Sequence, residues 1–89
     1  MDAVNLESFR EGDFVWMQGL REKIAHVRVL GCVISTIRRP TTLLVKTYFH
    51  GEVLIYGRKG DLFLITSRAE IGPGDRNWRR AQVLRKGIS

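Results

Sequence analysis

A small all-β barrel of five strands is what this sequence predicts, and three observations carry that expectation. Two β-branched and aromatic runs, Ile24 to Ile37 and Thr42 to Phe49, flank a short basic connection containing Pro40. Proline supplies no N–H to a ladder, so it falls between two neighbouring strands rather than within one. Gly31 sits inside the first run, where a glycine marks a bulge or sharp bend of the kind that lets a small sheet coil until it closes. Further on, glycine-bearing turn signals at His50-Gly51, Gly57 to Asp61 and Gly72 to Asp75 separate short apolar runs, which is the punctuation of a meander.

From the N-terminus, Asn5 to Glu11 reads as a single helical turn or a loose arm. Gly12-Asp13 turns into Phe14-Val15-Trp16-Met17, a first short strand or a segment plugging one end of the barrel. In the following strand Val27, Val29, Gly31 and Val33 share one face and Arg28, Leu30, Cys32 and Ile34 the other, so both faces are largely apolar. A wall apolar on both sides needs a cover over its outer face, from a loop of the chain or from another protein. In the next strand Leu43, Val45, Thr47 and Phe49 form the core face, and Leu44, Lys46 and Tyr48 the outer one. Glu52 to Tyr56 and Leu62 to Ser67 are the third and fourth strands. The Gly72-Pro73-Gly74-Asp75 turn has hairpin chemistry, so Trp78 to Lys86 is read as a last strand, although its Ala, Gln, Leu, Arg and Lys content also suits a helix. The chain is expected to form one domain over residues 1–89, with 1–23 as the arm and first strand or plug and 24–86 as the barrel.

Composition narrows the function. The chain is 44% hydrophobic and 27% charged, values of a folded domain rather than a disordered tail. No apolar run reaches membrane-spanning length, and Asp2 and Glu7 stand where a secretory signal would be basic and then apolar; an intracellular location, nuclear in a eukaryote, is the expectation. The single cysteine, Cys32, has no internal partner for a disulfide, and no Cys/His spacing suggests a metal. His26 and His50 have no acid placed to orient them, and no nucleophile grouping or paired carboxylates recur. Gly57 to Gly60 precedes a strand rather than opening a helix, unlike a phosphate cradle. The expectation is therefore a protein that is not an enzyme and takes no cofactor.

The formal charge of +6 is unevenly spread, with fourteen of the fifteen Lys and Arg falling in residues 21–89. A basic body of this kind favours polyanions, and an unspecific single-strand site needs a basic track with aromatic faces for the bases. The candidates are Arg38 and Arg39 in the first connection, Lys46 and Tyr48 on the second long strand, and Tyr56, Arg58 and Lys59 around the third turn. Arg76, Trp78, Arg79, Arg80, Arg85 and Lys86 complete them in the last segment, which holds no acid between Arg76 and Lys86. A charged edge strand that resists aggregation is the competing explanation for that segment.

Five such strands fit the OB-fold and the SH3-like barrels that include Tudor domains. The succession His26 to Ile34, Lys59 to Thr66 and Trp78 to Lys86 resembles an OB-fold more closely. It is similar to the small single-OB subunits of replication protein A-like assemblies, among them the smallest subunit of the CST telomere-capping complex. The resemblance rests on Val27, Val29, Gly31 and Val33 and on the entry into the fourth strand through Gly60-Asp61; the chain departs from it in lacking a clear helix between the third and fourth strands and a C-terminal helix after the barrel. It implies a single-stranded DNA or RNA binding module and a place in a genome or telomere maintenance complex. Two further readings stay open: a Tudor-type reader in which Phe14, Trp16, Tyr48 and Tyr56 cage a methylated side chain, and an interaction barrel with a partner over Val27 to Ile34.

Overall fold

The computed structural model describes residues 5–38 and 41–88, without the side chain of Arg38. The barrel is closed by six strands: β1 (Phe14–Gly19), β2 (Arg28–Arg38), β3 (Thr41–Thr47), β4 (Glu52–Tyr56), the two-residue β5 (Lys59–Gly60) and β6 (Phe63–Ala69). Among the described residues one α-helix, α1 (Trp78–Arg85), follows. The all-β barrel is as expected, with six strands in place of five. Each strand pairs antiparallel with its neighbour in sequence, and β6 returns to β1; an OB-fold would instead follow a Greek-key path.

Alternation along β1 and β2 decides the packing. Val15, Met17 and Val33 point inward and join Leu43, Val45, Ile55, Phe63 and Ile65 in the barrel interior. Phe14, Leu30 and Cys32 point outward, and they too are buried. Their cover is α1, whose Ala81 and Leu84 complete a second apolar cluster with Ala69 on the outside of the wall. The apolar outer side of β2 at Leu30 and Cys32 is thus met from within the chain.

The last segment is a correction to the expected strand. Asp75 accepts a hydrogen bond from the Asn77 N–H through Oδ1 at 2.7 Å and from the Trp78 N–H through its carbonyl at 3.0 Å, and that bend starts a helix instead of a hairpin. Helix propensity of Ala, Leu, Gln and Arg then outweighs the hairpin-like turn, because Ala81 and Leu84, three apart, share the face that β1 and β2 need covered.

The barrel wall begins at Phe14. The plug is the arm before it, a 3₁₀ turn at Leu6–Ser8 that inserts Leu6 and Phe9 into the interior. Arg68 holds that arm, pairing with Asp13 at 2.8 Å, donating to Ser8 Oγ at 3.0 Å and lying 4.4 Å from the Phe9 ring. Gly31 is not the bulge. The ladder runs regularly through it and shifts register between Val33 and Ser35 instead. A Cβ at Gly31 would run into Val45 Cγ1 and Met17 Cε, so its small size is a packing requirement of the interior.

Cys32 lies beneath α1, and burial pushes its thiol from 9.0 up to about 11, against the pull of Arg85 and Lys46. A thiol that ionises less readily when folded contributes stability that is complete below about pH 9 and lost as pH rises toward 11. In urea unfolding, the wild type is expected to lose more stability than Cys32→Ala across that window. Leu84→Ala is expected to cost about 2–4 kcal/mol and to speed modification of Cys32 by a thiol reagent, because the cover over the thiol is loosened.

Candidate nucleic-acid interface

At the end of β3 the chain reverses in a tight turn. Thr47 donates its N–H to the Gly51 carbonyl at 2.9 Å, its hydroxyl donates to the same carbonyl at 2.7 Å, and the His50 N–H donates to that hydroxyl at 2.9 Å. Gly51 closes the turn at φ +67°, a conformation that glycine adopts without steric cost. The turn puts Tyr48 and Phe49 at its tip, 49% and 75% exposed, with their rings edge to face at 4.9 Å.

Helix α1 brings arginines to these rings. The Arg80 guanidinium lies 4.9 Å from the Tyr48 ring centre and 5.5 Å from that of Phe49. Tyr48, Arg76, Asn77, Arg79, Arg80 and Val83 line one open groove of about 470 Å³. Helix N-termini carry partial positive charge and favour acids, yet this one has no acid in its first turn and no side-chain cap on Asn77. Three exposed arginines stand there instead. Asp75, on the Asn77 N–H, is one acid against these three arginines, and an anion in the groove would meet guanidinium groups and the helix end together.

The remaining candidates divide. Lys46 and Lys86 lie together in a neighbouring depression of about 310 Å³, but share it with Glu11 and Glu52. Trp78 is half-buried on the first turn of α1. Arg85 turns away from the groove: its guanidinium donates twice to the Gly12 carbonyl, at 3.0 and 3.1 Å, and packs 4.4 Å from the Phe14 ring. Arg58 donates Nε–H to the Ile65 carbonyl at 3.0 Å, and Tyr56 with Lys59 belongs to the β4–β5 side, where Tyr56 lines a different depression with Leu54 and Asp61. Arg39 and the side chain of Arg38 lie outside the described residues.

Phe49 was expected in the core by extending the alternation of β3. The strand ends at Thr47, and the His50-Gly51 turn signal was the feature that places Phe49 outside. The four rings of the methyl-reader expectation do not converge. Phe14 is buried under Arg85, Trp16 lies under Arg28 at 4.2 Å, and Tyr48 and Tyr56 face separate depressions. Among the described residues no group of His, Cys, Asp and Glu could hold a metal, and no helix is long and apolar enough to cross a membrane. No protein-family model, curated protein or solved structure matches this chain.

The two classes of arginine separate by stability. Arg85→Ala is expected to lower the unfolding free energy by about 1–2 kcal/mol, through the lost carbonyl contacts and ring packing. Arg79→Glu is expected to raise it by about 0.3–1 kcal/mol, by placing an acid at the positive end of α1. Urea denaturation of the two variants reads both.

Proposed function

We propose that this barrel is a nucleic-acid-binding module for single-stranded DNA or RNA, and that the groove between the 47–51 turn and α1 is its contact surface. The observation that carries the reading is the juxtaposition of Arg76, Arg79 and Arg80, at the start of α1, with two outward rings at a neighbouring turn. Phosphates are drawn to the arginines and the helix end, and a base lies against Tyr48 or Phe49. Arg80 has a double part. Without ligand it rests on the rings; with ligand its guanidinium moves to a phosphate and frees a ring face for stacking.

Single strands suit the groove better than duplex, because exposed rings offer stacking only to unpaired bases. The acidic neighbours Glu11 and Glu52 beside Lys46 and Lys86 limit the track at that end, so the footprint is short and the affinity modest.

Fluorescence anisotropy with a labelled single-stranded oligonucleotide tests the reading. For three phosphate contacts the slope of log affinity against log salt is expected at about −2, and Arg79→Ala should make it shallower by about 0.7. Tyr48→Ala is expected to cost about 1–3 kcal/mol of binding with the slope unchanged. A flat salt response, or equal binding by the Arg79→Ala variant, would remove the proposal.

A further inference from the structure

The large apolar side chains left exposed are not scattered. Tyr48, Phe49 and Val83 gather at the basic groove, and the other five are Leu20, Ile37, Leu54, Tyr56 and Leu62. Ile37, Leu54 and Tyr56 are placed on neighbouring strands by the ladder, and Leu62 adjoins them. Ile37 and Tyr56 both pair with Thr42, so the three side chains form a row across β2, β3 and β4 on the outer face. Leu44 and Leu54 form the next row, and Leu62 lines a depression of about 250 Å³ with Leu54, Tyr56 and Asp61. Leu20 joins Leu62 through a backbone hydrogen bond of 2.8 Å. Ile37 and Tyr56 are 56% and 57% exposed, with Thr42 buried between them, and among the described residues no helix lies over this face as α1 lies over β1 and β2.

Charge is arranged along this face with a direction. Lys59 pairs with Tyr56 at one end of β4, with Arg58 next to it in the turn. Asp61 follows Lys59 two residues on, beside Leu54 in the middle of β4, and Glu52 stands at the start of that strand. Lys46 faces Glu52 across the ladder, so Asp61 is the acid left over. Among the described residues neither Lys59 nor Asp61 has an ion-pair partner.

We infer that this face is the contact between two copies of the chain in an isologous dimer. A twofold axis near Ile55 and Gly60 turns the second copy end for end, setting Lys59 of one against Asp61 of the other, twice, while Tyr56 of each copy meets Leu54 of the other. The patch carries both halves of its own complement, which a partner of uniform charge would not match. Five partly exposed side chains make a patch of a few hundred Å², short of the roughly 800 Å² per partner of a stable complex, so the dimer is weak and concentration-dependent. It leaves the groove at α1 free on each copy and does not depend on the nucleic-acid reading.

Sedimentation equilibrium of the full chain from micromolar to millimolar concentration tests this, with circular dichroism melts to show that each variant folds. A monomer–dimer equilibrium is expected for the wild type. Lys59→Asp should weaken it by about tenfold or more, since each dimer contains the contact twice. The double reversal Lys59→Asp with Asp61→Lys should restore it, and Lys23→Asp, on a 3₁₀ turn elsewhere, should leave it unchanged. A chain monomeric throughout, or a dimer indifferent to both Lys59→Asp and Leu54→Asp, would overturn the inference, as would failure of the folded double variant to recover.

Discussion

The burial of Phe14, Leu30 and Cys32 beneath Ala81 and Leu84 is the contact on which the rest of this molecule depends. A barrel of this size has one small interior, filled here by the inward rows and plugged by Leu6 and Phe9. A second apolar layer on the outside of β1 and β2 would stay wet without α1. Laying an eight-residue helix across it removes that surface from water. The same step fixes where the N-terminus of the helix lies, and with it Arg76, Arg79 and Arg80.

The arginines of the last segment show how one run of like charge serves two purposes. Arg85, near the end of the helix, turns toward Gly12 and Phe14 and fastens the helix to the start of β1. Arg79 and Arg80, at the beginning, stand against the helix dipole, and Arg80 lies over the exposed Tyr48 and Phe49 rings rather than on the barrel wall. Natural sequences tend to break local rules where function asks for it. Arginines gathered at a helix start where Asp75 is the one acid nearby in the sequence, beside two exposed rings, break such a rule.

Much of the fold was legible in the sequence for physical reasons that can be named. The period-two alternation separated the two rows of Val29 to Val33 and assigned the core face in Leu43 to Thr47, because burial enforces it on every strand of a closed wall. The apolar outer face of β2 announced a cover. What covers it was not legible, because the Gly72-Pro73-Gly74-Asp75 turn suits either a hairpin or a helix start, and the decision is made by a tertiary partner far away in sequence. The same limit applies to the site. Tyr48, Arg76, Arg79 and Arg80 were visible as rings and charges, but their convergence follows from α1 being a helix. Phe49 was misplaced because alternation was carried two residues beyond the end of β3. Arg58 and Arg85 were counted as free cations although each bonds a main-chain carbonyl, a use that charge patterning does not reveal. Lys59 and Tyr56 entered the same set on type alone, and the barrel carries them to its other side.

An amide chemical-shift titration of the uniformly labelled chain with a short single-stranded oligonucleotide tests the central claim most directly. The account predicts perturbations confined to the 47–51 turn and to residues 76–83, with β4 and the 57–60 turn silent. Perturbations centred on Tyr56 to Lys59 would contradict it, as would none at saturating oligonucleotide.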